Sequence, residues 1–322
     1  MKLVLIINIY YTVNKNIFFF PTNVCTLRGD YMSLVDFGLL VKTLRKNSFD
    51  PSGNRWSREG LSKAVHLTED QLGRLERGDR KYLDNQTLML LADSFNLTSL
   101  ERKEFFYAAL SLKDNKLFNH HEPETQLKNV IATMETLQVP AYIIDVYADI
   151  VVVNTAVLNL YQVTRELIDY VRQLPGGLNL LYFIYSSTLG FKEVIGSYWN
   201  KTAMMALLEF RRSSLRYRHT VYFKYILKTL LKEKQFDIDW YSSHRYLDFF
   251  DLTYERFEYE HPFFGPLAYT ATETIINTKA GDLYLILYNP ADSITVSVFK
   301  ELLKFNGNKI HQLASWPEKS TI

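Results

Sequence analysis

The sequence predicts an α+β fold in two parts, an all-α N-terminal domain of five helices and a C-terminal α+β domain. Three observations predict it. From Leu34 to about Leu112, apolar residues recur at helical spacing behind recognisable cap residues. The period changes at Pro140–Asp145 and Ile150–Asn154, which read as two strands around a short polar turn, and strand-like runs return at about 255–259, 267–276 and 283–289. Between the two regimes, Lys113 to Glu124 is polar and contains Pro123, which marks a linker. A chain of 322 residues, 47% hydrophobic and 15% aromatic, has enough apolar surface for two cores and is not a disordered chain.

Leu34, Phe37, Val41 and Leu44 define the first helix, and a loop with Pro51 and Gly53 follows it. Ser57 caps the second helix. Thr68 caps the third and, with Gln71, forms a capping box. His66-Leu67 is a very short connection between them, and Gly78 stops the third helix. Leu61, Val65, Leu67, Leu72 and Leu75 supply the apolar contacts. Asp84 caps a fourth helix bearing Leu88, Leu91, Ala92 and Phe95, and a Thr98/Glu101 capping box opens a fifth. Two helices joined this tightly form a helix-turn-helix, whose second helix enters the DNA major groove; an ordinary helical hairpin in a bundle is the alternative.

The spacing resembles the Xre, lambda-repressor-like, family. Ser62 stands at its small helix-crossing position, Leu72 at its buried aliphatic position, and Leu75-Glu76-Arg77-Gly78 matches its Leu-Glu-x-Gly ending. His66 replaces the usual turn glycine, and His tolerates the left-handed conformation better than a branched residue does. Gly73 inside the helix costs roughly 1 kcal/mol relative to Ala. The resemblance implies that Arg45 and Glu76 form an internal ion pair.

By position, Glu69, Asp70, Gln71 and Arg74 face the bases. Thr68 and Arg58 face phosphates, and Arg77, Arg80 and Lys81 extend that contact. For Glu69 and Asp70, service to the helix N-terminus is an equal reading, as a solvated charge run is for Arg80 and Lys81.

Beyond the linker, Leu127, Val130, Ile131, Met134 and Leu137 mark an amphipathic helix. Several helices are expected between about Thr155 and Lys234, and a closing helix at Ser297–Phe305. No 34-residue self-similarity is present, which argues against a tetratricopeptide array. Val139-Pro140-Ala141-Tyr142-Ile143-Ile144-Asp145 with Val152-Val153-Asn154 resembles the opening of the MmyB-like ligand-binding domain. Asn179-Leu180-Leu181 resembles its Asn-Leu helix, and His261-Pro262-Phe263-Phe264-Gly265 its His-Pro-x-x-Gly turn. The middle, 191–244, matches only loosely. The resemblance implies a PAS-like fold and a transcriptional regulator with a small-molecule input.

On that basis Tyr142, Ile144, Val152, Asn154, Trp199 and Phe210 are expected to line a cavity between sheet and helices, for an apolar, acyl-like ligand. For each residue singly, a filled core is the simpler reading. Arg211, Arg212, Arg216 and Arg218 form a basic run on a solvated or interface-facing helix, where one arginine, Arg211, is the candidate to hold an anionic head. Asp237, Asp239 and His244 lack any nucleophile context or metal spacing, so no enzyme activity is expected.

The net charge of +2 neither requires nor excludes nucleic acid. A single cysteine, Cys25, excludes a disulfide framework and fits a cytoplasmic compartment. His120-His121 has no further ligands at metal spacing, and neither metal nor cofactor is expected. Residues 1–31 read as an extension outside the fold, with Met32 as the expected start. Leu3–Ile7 is too short to span a bilayer. The expected divisions are 32–112 for DNA binding, 113–125 for the linker, 126–316 for the ligand and 317–322 as a tail. The partners that follow are a palindromic double-stranded operator, a second copy of the chain and a small apolar ligand, with no membrane. The competing reading is a small-molecule or lipid carrier whose helical domain is a protein-interaction module.

Overall fold

Phe37, Leu40, Val41 and Leu44 fall on one face of helix α1 (Phe37–Asn47) and are fully buried. They meet α2 (Arg58–Ala64), α3 (Glu69–Glu76), α4 (Asn85–Ser94) and α5 (Ser99–Leu110) around one interior built from Leu61, Val65, Leu72, Leu75, Leu91 and Phe105. The Phe37 and Phe105 rings, 5.0 Å apart, tie the first helix to the fifth. The expected caps are present. Ser57 accepts from the Gly60 amide, Thr68 and Gln71 close a capping box, and Asp84 accepts from Thr87. His66 takes the left-handed conformation, φ 56°, that so short a connection requires. The computed structural model describes residues 25–27, 37–79, 83–110, 122–245, 256–304 and 307–321. The expected start at Met32, the contacts of Arg80 and Lys81, and His120-His121 lie outside them.

Helix α6 begins at Pro123, within the expected linker, and runs to Thr136. A six-stranded antiparallel sheet follows. In chain order its strands are β2 (Ala141–Asp145), β3 (Ile150–Asn154), β4 (Phe257–His261), β5 (Gly265–Ile276), β6 (Leu283–Pro290) and β7 (Ile310–Gln312). In space they run β4-β5-β6-β2-β3-β7. Between β3 and β4 lie α7 (Thr155–Leu160), α8 (Arg165–Arg172), α9 (Leu180–Tyr185), α10 (Phe191–Ile195), α11 (Trp199–Ser213), α12 (Val221–Leu230) and α13 (Lys234–Ser242). Helix α14 (Ser293–Lys304) follows β6.

The period-two pattern sorts the sheet into two faces. Ala141, Ile143, Leu283 and Leu285 pack under α6 with Leu127, Val130 and Met134. Tyr142, Ile144, Tyr284, Ile286 and Tyr288 turn to the helices α9 to α13.

Two segments depart from expectation. Within residues 1–31, Cys25–Leu27 forms β1, which pairs antiparallel with β8 (Lys319–Thr321). The expected tail is therefore part of the fold, and the Lys319 ammonium sits between the buried carboxylates of Asp145 and Asp149. Among the described residues, no helix is long and apolar enough to cross a membrane.

Candidate functional site

Helix α3 is two-sided. Leu72, Gly73, Leu75 and Glu76 are buried against α1 and α2, while Thr68, Glu69, Asp70, Gln71, Arg74 and Arg77 are exposed. The Gln71 side chain is committed to the cap, since its Oε1 accepts from the Thr68 amide at 2.9 Å. Arg77 Nε donates to Asp79 at 2.9 Å. Arg74 makes no ion pair among the described residues. Behind this face, Glu76 accepts from Arg45 Nε at 2.5 Å and Nη2 at 3.1 Å, which is the expected internal pair. Arg58, expected on phosphate, also reaches Glu76, at 3.3 Å, but keeps 41% of its side chain exposed.

In the second domain the sheet separates the residues expected to line one cavity. Tyr142 and Ile144 face the helices, but Val152 lies on the opposite face, in the core under α6. Asn154 is fully buried as a structural clamp. Its Oδ1 accepts from the amides of Ala141 and Val157, and its Nδ2 donates to the Val139 carbonyl. Trp199 and Phe210 belong to the helical core, with Trp199 Nε1 donating to the Ile184 carbonyl at 2.8 Å. Arg211 is committed to an ion pair: both its Nε and Nη2 donate to Glu101 of α5, at 3.1 Å each. The motif residues have similar structural duties. Asn179 caps α9 and holds the β2–β3 turn through Tyr147 O and Asp149. His261 Nδ1 accepts from the amides of Phe263 and Phe264, and burial holds its pKa below the ordinary value.

What converges on the helix-facing side of the sheet is a set of tyrosines that positional reasoning missed, apart from Tyr142. The Tyr161 hydroxyl lies 2.9 Å from that of Tyr269 and 3.2 Å from that of Tyr288. Tyr288 stacks on Tyr269 and meets Tyr142 edge-on, with ring centroids 4.6 and 5.8 Å apart. Burial pushes all four phenols above their ordinary pKa, so they are neutral hydrogen-bonding groups. Tyr142, Tyr161 and Tyr288 remain partly accessible. Phe191 of the short α10 packs on Tyr161 with centroids 5.6 Å apart, and Gly190 and Gly196, both at positive φ, flank that helix. The alternation Tyr284, Ile286, Tyr288 was the available signal for the Tyr288 side chain.

A family comparison adds to this geometry. The MmyB-like transcription regulator ligand binding domain matches residues 124–302, more than half of the chain. The chain belongs to this family. A search of curated proteins finds no match. The matched span takes in the tyrosine cluster and stops short of β7 and Lys319. Two open grooves lie elsewhere on the MmyB-like domain, one of about 610 Å³ beside α8 and β7 and one of about 710 Å³ beside Trp316. None of the seven residues expected to contact ligand lines either groove. Among the described residues, no group of His, Cys, Asp and Glu is placed to hold a metal ion.

Proposed function

We propose that the protein is a sequence-specific DNA-binding transcription regulator whose MmyB-like domain senses a small apolar ligand. One observation carries the DNA half: α3 buries Leu72 and Leu75 yet leaves Thr68, Glu69, Asp70, Gln71 and Arg74 exposed along one flank. A helix held this way, after a tight turn with His66 in the left-handed conformation, presents its N-terminal side chains to a major groove, in the manner of Xre-type domains. Arg74 reads a guanine and Arg77 lies on phosphate, with Arg58, Arg80 and Lys81 adding to the backbone contact. A homodimer on a palindrome places two such helices one turn of DNA apart.

The antiparallel order β4-β5-β6-β2-β3-β7, with helices α9 to α13 on one face, supports a PAS-like sensor reading. The ligand site is the helix-facing side of that sheet, with Tyr142 and Ile144 on its wall and the hydroxyls of Tyr161, Tyr269 and Tyr288 as polar anchors. Val152, Asn154 and Arg211 leave the list because their side chains are committed elsewhere. Trp199 and Phe210 act behind the site as core.

Selection of bound sequences from a random duplex pool, followed by titration of the wild type, Arg74→Ala and Arg77→Ala, tests the DNA half. Arg74→Ala should lose about 1–3 kcal/mol and relax the preference at one base. Arg77→Ala should weaken all sequences alike and lower the salt dependence by about one charge. Unchanged affinity and preference in both variants removes the DNA claim.

A further inference from the structure

The fifth helix of the N-terminal domain is fastened to the MmyB-like domain by a carboxylate with no access to solvent. Glu101 is fully buried. Its Oε2 accepts from the Thr98 amide at 2.8 Å and from Arg211 Nη2 at 3.1 Å, and its Oε1 accepts from Arg211 Nε at 3.1 Å and from Arg218. Arg211 Nη1 goes on to the Trp240 carbonyl at 2.7 Å, and Arg218 Nη2 to the Arg211 carbonyl at 3.0 Å. The two guanidiniums lie 4.7 and 5.3 Å from the centroid of the Trp240 ring. Trp240 packs on Phe236, Phe236 on Tyr185 and Tyr185 on Trp199, so a continuous row of rings leads from the triad to the start of α11. Beside the triad, Leu215 inserts into the N-terminal core, and Arg216 pairs with Glu104 at the rim.

Two buried cations on one carboxylate leave an excess positive charge. Such a cluster recovers its desolvation cost only in the full geometry and is weak as a simple adhesive. It is strong as a registry device, because displacing one member strands the others. We propose that the Arg211–Glu101–Arg218 triad sets the orientation of the DNA-binding helices on the MmyB-like domain, so that movement of α11–α13 is what releases them. This rests on the function proposed above for its consequence, but not for its test.

Spin labels at exposed Lys63→Cys and Lys300→Cys, in a Cys25→Ser background, report the distance between the domains without DNA. The labelled parent should give one narrow distribution. Glu101→Gln, which keeps an acceptor for the Thr98 amide, should broaden or shift it, and Glu104→Gln at the rim should leave it narrow. A distribution in Glu101→Gln as narrow as the parent's, at the same mean, overturns the proposal. Amide exchange of the unmutated chain gives a second reading: α5 should open together with α11, and a helical domain that opens alone, well before α11, also overturns it. A wild type that binds no duplex sinks the regulator reading and leaves these distances to judge the triad.

Discussion

Replacing Glu76 by alanine isolates what the interior of the N-terminal helical domain depends on. The carboxylate is 2% exposed and lies between Arg45, 10% exposed, and Arg58, 41% exposed. Removing it leaves Arg45 a buried cation whose remaining partner is the Trp56 carbonyl at 3.2 Å. Breaking a buried pair from one side costs about 3–5 kcal/mol. Arg58→Ala touches the same carboxylate from the solvent side and should cost under about 1 kcal/mol, since water screens that contact. The double replacement Glu76→Leu with Arg45→Met removes both charges and should recover most of the loss. Urea unfolding followed by far-UV circular dichroism reads all three. The reasoning is refuted if Glu76→Ala loses less than about 1 kcal/mol, or if Arg58→Ala loses as much as Glu76→Ala.

Four further outcomes follow, three from particular contacts and one from a titration. Gly73→Ala should raise stability by about 0.5–1 kcal/mol in thermal unfolding, because an added Cβ meets Arg77 Nη1 no closer than 3.4 Å and the helix loses a glycine. Gly176→Ala should do the opposite, by about 1–3 kcal/mol or more, because its Cβ would fall 2.0 Å from Cγ of Tyr182. Tyr161→Phe, which deletes a hydroxyl shared by Tyr269 and Tyr288, should cost about 1–3 kcal/mol in urea unfolding. The last concerns pH. Burial lowers the pKa of His261 in the folded chain, whereas the unfolded residue takes up a proton near its ordinary value of 6.5. The unfolded state then binds more protons below that pH, so stability falls as pH drops through 6.5. His261→Asn, whose Oδ1 can accept from the Phe263 amide, should shrink that slope in melting temperatures measured from neutral pH downward.

The elements were legible where local chemistry decides them. Ser57, Thr68, Asp84 and Thr98 each announce a helix start through their own hydroxyl or carboxylate, and all four starts appear where those residues stand. The hairpin Ala141–Asp145 with Ile150–Asn154 was legible because two short apolar, β-branched runs stand on either side of a short polar turn. What could not be read was set by partners far away in the chain. The three-residue strands β7 and β8 carry no pattern of their own; β7 exists because Val152, Val153 and Asn154 offer it an edge. Lys319 reads as a tail residue until the fold brings it to Asp145 and Asp149, more than 160 residues earlier.

The same limit explains the candidate site. Arg211 looked available for an anion because a basic run gives no sign of which member is paired, and Glu101 was legible only as a member of a capping box, which satisfies it locally. Each description held half of one contact. A carboxylate that caps a helix with one oxygen has a second oxygen to place, and Arg211 near the end of α11 meets it together with Arg218, which the short turn Leu215–Tyr217 brings back beside it. Val152 lies on the opposite face from Tyr142 for another reason. Between Ile143 and Ile144 the register with β3 shifts, so the alternation counted along β2 does not carry across to β3. The alternation within β6 is undisturbed, and it delivers Tyr284, Ile286 and Tyr288 to the helix-facing side. A period can therefore be trusted inside one strand and must be recounted at each pairing.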